Sequence, residues 1–108
     1  MPPRPEVVCL CGSLRFAEEL AEATRVLTLA GAIVLAPVVL DRPSDLAVTD
    51  ESVSEEQRTA LGELHLRRID LADRVLVVAP GGHLGESTRR EVAYARARGK
   101  PVAFIGPA

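Results

Sequence analysis

The sequence predicts an α/β fold built on one parallel sheet of about four strands, with helices on both faces. Two observations carry this expectation. Apolar runs at 7–11, 32–36, 74–79 and 102–105 show almost no polar alternation, as strands buried on both faces require. Between the first three such runs, and again before the last, lie longer stretches that open on Ser or Thr or close on Gly, with apolar residues recurring at helical spacing. The order is βαβαβαβ, and right-handed crossovers then favour a flavodoxin- or Rossmann-like three-layer arrangement with strand order 2-1-3-4.

Each element has its own justification. The first strand, Val7-Val8-Cys9-Leu10-Cys11, is closed by Gly12-Ser13, and Ser13 stands where it caps the next segment. A helix over 14–30 is predicted from Phe16, Leu20, Ala23, Leu27 and Ala30, with Gly31 as the residue just past its end. A second buried strand over 32–36 stops at Pro37. Residues 41–53 are acidic and rich in helix breakers, which marks either a lid over a site or a flexible insertion. Ser52-x-x-Glu55 and Ser54-x-x-Gln57 are both capping signals for a helix from about 54 to 72, whose apolar stripe is read as Leu61, Leu64, Ile69 and Ala72. The third strand is expected at 74–79, the third helix at 87–98 with Gly99 after it, and the last strand at 102–105.

Composition excludes several classes. With 108 residues, 47% of them hydrophobic, the chain is expected to form a single domain over 1–108. The net charge of −2 is spread among interleaved acids and bases, so no footprint for polymeric nucleic acid emerges. No apolar run approaches the ~20 residues of a membrane span, and the opening Met-Pro-Pro-Arg-Pro has no signal-peptide core, so a cytoplasmic protein is expected. Cys9 and Cys11, two apart on one strand, point to the same face, lack metal-site spacing and read as buried apolar thiols; no metal and no cofactor are expected.

Sheets of this kind bind ligands beyond the carboxyl ends of their strands, at the switch point between strands one and three. Two loops leave those strands. One is Gly12-Ser13-Leu14-Arg15, with a small residue for close approach, a hydroxyl and a guanidinium that suit a phosphate. The other runs from Pro80 to Ser87, where Gly81, Gly82 and Gly85 allow a tight turn and Ser87 and Thr88 offer hydroxyls at a helix start. Glu91 comes one turn inside that helix. Thr88-x-x-Glu91 also reads as a plain capping box, in which each side chain satisfies a backbone N–H. Asp73 lies at the start of the third strand, ~20 Å from the glycine turn, and is expected to be a turn residue on the opposite edge. Asp70 is about one helical turn higher. His65 shares the inward stripe with Leu61 and Ile69 and is expected to face the sheet near mid-height; His83 is expected to be exposed.

With these residues in place the chain resembles the nucleoside 2-deoxyribosyltransferase superfamily, which includes the deoxynucleoside 5′-monophosphate N-glycosidases. The likeness runs through Cys11-Gly12-Ser13-Leu14-Arg15, Ile69-Asp70-Leu71-Ala72-Asp73, and Gly85 to Ala95 followed by Gly99-Lys100-Pro101-Val102. A looser one links Pro80-Gly81-Gly82 to the cytokinin-activating phosphoribohydrolases. The resemblance implies that Glu91 is the catalytic nucleophile. It assigns phosphate or substrate binding to Gly12, Ser13, Arg15, Gly82, Gly85, Ser87 and Thr88. The position of a family aspartate that contacts the sugar and assists the leaving base holds His65 here, a candidate acid/base. A nucleotide or nucleoside is the implied substrate, and a homodimer or larger homo-oligomer the implied assembly. Hydrolysis of a nucleoside 5′-monophosphate is the favoured expectation; deoxyribosyl transfer and non-catalytic nucleotide sensing are the alternatives.

Overall fold

The computed structural model describes residues 4–37, 54–82 and 84–105. The lid or flexible insertion expected at 41–53 and His83 lie outside the described residues. Strands β1 (Val7–Cys11), β2 (Ile33–Leu35), β3 (Arg74–Val78) and β4 (Val102–Ile105) form one sheet ordered β2-β1-β3-β4. Every pairing is parallel: Val8 stands opposite Val34 on β2 and Arg74 on β3, and Val75 opposite Val102 on β4. The described helices are α1 (Ala17–Leu29), α2 (Glu55–Leu71) and α3 (Glu86–Ala97). The predicted fold and strand order are those observed.

Alternation along the central strands divides the core into two layers. Cys9, Cys11, Val75 and Val77 point to one side and pack with Ile69 and Ala72 at the end of α2 and with Val92 and Ala95 of α3. Val8, Leu10, Leu76 and Val78 point to the other, where Leu20 of α1 is the buried helical partner and Ala23 and Leu27 pack around it. Among the described residues, one face is thus covered by two helices and the other by one. The outer strands, expected to be buried like the inner ones, are half open. Ile33 is exposed, and on β4 so are Phe104 and Ile105, because these strands form the sheet's edges.

Local signals explain most boundaries. Ser54 and Gln57 form the reciprocal capping box that starts α2, with the Gln57 N–H donating to Ser54 Oγ at 3.1 Å and the Ser54 N–H to Gln57 Oε1 at 2.9 Å. Both α1 and α3 end in Schellman closures: Ala32 N–H donates to the Leu27 carbonyl around Gly31, and Lys100 N–H to the Ala95 carbonyl around Gly99. Where the first helix was expected from residue 14, a short 3₁₀ turn (Leu14–Phe16) comes first, with the Arg15 N–H donating to Ser13 Oγ at 3.3 Å. The stripe of α2 is centred on His65 and Ile69. Leu64, predicted to be part of it, is 47% exposed, lying about 100° around the helix from His65. Asp73 is the expected residue of the amino-terminal edge, accepting from the Val7 N–H at 2.8 Å and from Arg4.

Candidate active site

The carboxyl ends of β1 and β3 are brought close by Gly12. A Cβ at that position would lie 2.8 Å from the Val78 carbonyl oxygen, so only glycine lets the chain leave β1 against β3. After β3, Pro80 to Gly82 make a tight turn in which Gly81 and Gly82 adopt φ of 73° and 76°, left-handed values that favour glycine. The chain then enters α3 with Gly85 as its N-cap.

That N-cap decides between the two readings of Thr88 and Glu91. Gly85 is extended, no side chain caps the helix, and Thr88 is already in the first turn with only 4% of its surface exposed. The Thr88-x-x-Glu91 capping box is therefore absent; burying Thr88 against the protein moved the helix start three residues earlier. Glu91 is free of that structural duty. Its side chain points back along the helix, as helical side chains do, and its Oε2 accepts from Ser87 Oγ at 3.4 Å. Its Oε1 lies 3.6 Å from His65 Nε2, longer than a hydrogen bond.

His65 arrives from α2. It sits seven residues before Ala72, ~10 Å up the helix, which matches about three strand residues of rise and brings it level with the end of β1. This is higher than the mid-height expected from the stripe alone. Its Nε2 lies 3.3 Å from Cys11 Sγ, and the residue is only 5% exposed, with Nδ1 lacking a hydrogen-bond partner among the described residues. Cys11 is the neighbour that sequence reasoning missed. The available signal was its place as the last residue of β1, facing the same side as Cys9 and hence the helix that carries His65.

Burial governs the protonation of this cluster. Desolvation raises the Glu91 carboxyl above its ordinary value, partly offset by hydrogen bonds from Cys11 and Ser87 and by the charge of Arg90. Burial, with a smaller push from Arg68, lowers His65 to about 4, so the imidazole is neutral at neutral pH. The Cys11 thiol is driven upward by its contact with Cys9 and by burial, and stays protonated. A partly dehydrated carboxylate beside a hydroxyl, a thiol and a neutral imidazole is a nucleophile's setting, its lone pairs held by few and weak donors.

The other predicted residues are placed around this centre less closely. Gly12 and Ser13 continue directly from Cys11; Ser13 Oγ is engaged with the Arg15 N–H. Arg15 is exposed and its guanidinium lies 5.2 Å from the centroid of the Phe16 ring, so it is stacked on its neighbour. Gly82 and Gly85 shape the turn, and Ser87 is the hydroxyl that touches Glu91. Asp70 belongs to a separate network in which Tyr94 OH donates to its Oδ1 at 2.8 Å.

The fold and the geometry of this site can be set beside known proteins. The solved 2-deoxyribosyltransferase from the psychrotolerant bacterium Bacillus psychrosaccharolyticus superposes with a TM-score of 0.73 over 94% of this chain and 73% of that one, at 20% identity. This chain has that enzyme's fold. No protein-family model and no curated protein matches the sequence.

Proposed function

We propose that this chain cleaves the N-glycosidic bond of a nucleoside 5′-monophosphate with Glu91 as nucleophile. The observation that carries the reading is the position of Glu91: partly buried, uncommitted to capping, and facing His65 and Ser87 beyond the carboxyl ends of β1 and β3. In this reading a carboxylate oxygen attacks C1′ as the bond to the base breaks, and the bonding electron pair leaves with the base, which takes up a proton. Water then attacks the glycosyl ester, giving sugar phosphate and restoring the carboxylate. His65, neutral at physiological pH, holds no proton in reserve as an imidazolium; its part is to abut Glu91 and keep water from it. The leaving base takes its proton from solvent. The phosphate is held by the Gly12-Ser13-x-Arg15 loop, with Arg15 swinging off Phe16, and by N–H groups at the start of α3 near Gly85, Ser87 and Thr88, which no side chain caps, while Gly82 shapes the turn before them.

The fold shared with a 2-deoxyribosyltransferase favours a second reading, in which a free nucleobase replaces water as acceptor. One experiment separates them. Nucleotides and deoxynucleotides are incubated with the protein, with and without a second free base, and products are resolved by chromatography. Base release alone supports hydrolysis, and a new nucleoside or nucleotide supports transfer. Equal release by wild type and Glu91→Gln ends both readings, while calorimetric binding without turnover points to a sensing module. Light scattering of the same samples tests the expected homodimer.

A further inference from the structure

We propose that Cys9, Cys11 and His65, completed by Glu91, form a binding site for a zinc-class divalent ion that competes with substrate for the Glu91 carboxylate. Neither cysteine belongs to a motif with metal spacing along the chain, and the third ligand comes from a different element. In space the ligand atoms of Cys9, Cys11 and His65 all lie within 4.8 Å of one another, and all three residues are buried. Both sulfurs project from the same side of β1, and α2 presents the imidazole to them.

Two of the six edges suit a tetrahedral ion as they stand, while Glu91 lies outside the 4.8 Å cluster of the other three and must close on it to become the fourth ligand. Bond lengths of ~2.3 Å to sulfur and ~2.0–2.1 Å to nitrogen and oxygen place sulfur and nitrogen about 3.6 Å apart and nitrogen and oxygen about 3.4 Å apart. The Cys11 Sγ to His65 Nε2 distance is 3.3 Å and the His65 Nε2 to Glu91 Oε1 distance is 3.6 Å, so these two edges need a shift of only a few tenths of an ångström. Two thiolates, one imidazole and one carboxylate select zinc over magnesium or calcium, which take oxygen ligands. Binding releases the two thiol protons to solvent and leaves the site with a net charge of about −1, counting two thiolates and one carboxylate against the ion. The Glu91 side chain, 16% exposed where the other ligands are closed off, is the ion's way in.

If Glu91 is the nucleophile, an ion on Oε1 occupies the oxygen nearest His65 and holds the carboxylate away from C1′. This regulatory consequence rests on the proposed function; the site does not. The test is titration of the reduced full chain with Co²⁺, read by absorbance. Wild type is expected to take up one equivalent, with the near-ultraviolet thiolate-to-cobalt band and the intense visible bands of a tetrahedral site, both abolished by an equivalent of Zn²⁺. Cys9→Ala and Cys11→Ala, checked for folding by circular dichroism, should each lose about half of the charge-transfer intensity. Glu91→Gln, at the open side of the site, should keep that band and shift the visible ones. Absence of the charge-transfer band in wild type at excess Co²⁺ overturns the proposal, as does an unchanged spectrum in both cysteine variants. A band in a protein without base-releasing activity would leave the metal site standing and remove the glycosidase; activity unaffected by stoichiometric Zn²⁺, with no band, would do the reverse.

Discussion

The two faces of the sheet are built from the same central strands and end in different states. Under α2 and α3, Cys9, Cys11, Ile69, Val75, Val77 and Ala95 are closed from solvent, and the cluster of Cys11, His65 and Glu91 sits at the carboxyl end of that closed layer. Under α1 the layer is shorter of helix. An apolar groove of about 620 Å³, bounded by Val26, Leu27, Leu76, Val78 and Ile105, runs beside α1 where the β3 and β4 side of the face has no helix over it among the described residues. The groove is lined mostly by apolar side chains, with Glu19 and Glu22 exposed at its rim and Glu22 paired with Arg25. Reactive side chains follow desolvation, and among the described residues the buried cluster lies on the face that carries two helices.

The comparison can be broken most directly at Glu91. Replacing it by Gln is expected to lower base release on the order of 10³-fold or more, with the protein still folded. The same variant should melt higher at neutral pH. A carboxyl whose folded pKa is raised binds its proton more tightly in the native state, so it costs stability as pH rises through that window, and Gln escapes the cost. A calorimetric scan of Glu91→Gln against wild type at two pH values reads this, and a lower melting point for the variant at neutral pH would refute it.

Packing differences come next. Ile69→Ala in the closed layer should cost ~2–5 kcal/mol, whereas Leu27→Ala beside the groove should cost ~1–2 kcal/mol, because the open side lets the lost methyl groups be replaced by water or by side-chain movement. Equal costs in urea unfolding would mean that the two faces are closed alike. Gly12→Ala, which drives a methyl group into the Val78 carbonyl, should cost ~1–3 kcal/mol and impair base release more than stability, since it separates the two loops that meet at the site. Val26→Lys on the groove rim, at a position 52% exposed, should stay within about 0.5 kcal/mol of wild type and leave base release unchanged.

The smallest effect lies at the amino-terminal edge, far from both faces' chemistry. Arg4 and the Val7 N–H hold the Asp73 carboxyl below its usual value. The stability this contributes is present above the unfolded carboxyl pKa of ~3.9 and is lost as pH falls through the lower, folded value. Asp73→Asn should therefore lower stability slightly at neutral pH, where the contribution is present, and converge with wild type in acid, so that the acid limb is flatter. A melting-temperature series between neutral and acidic pH checks it.

Much of this architecture was legible from local signals. Ser54 and Gln57 announce α2, Gly31 and Gly99 announce the ends of α1 and α3, and the unbroken apolar run at 7–11 announces a central strand. The edge strands misled because an apolar run reports what a strand could bury, while its neighbours decide what it does bury: Phe104 is as apolar as Val77 and is 48% exposed. At the start of α3 the side-chain oxygen of Thr88 and the backbone freedom of Gly85 competed for the cap. A local rule favours Thr88, but packing removed it from the surface. His65 could be assigned to the inward stripe of α2 but not to a height along it.

Elements, their order and the candidate residues are properties of neighbouring positions, set by periodicity, capping and the conformational freedom of glycine, and the sequence by itself determined them. Which side chains meet is a property of docking. Periodicity settles the face on which a residue lies; only the packing of α2 on β1, through Ile69 and Ala72 against Cys9 and Val75, settles how far up the strand it comes to rest. That placement made Cys11 and His65 neighbours of Glu91, with Cys9 beside them, and so gathered the residues of the candidate site.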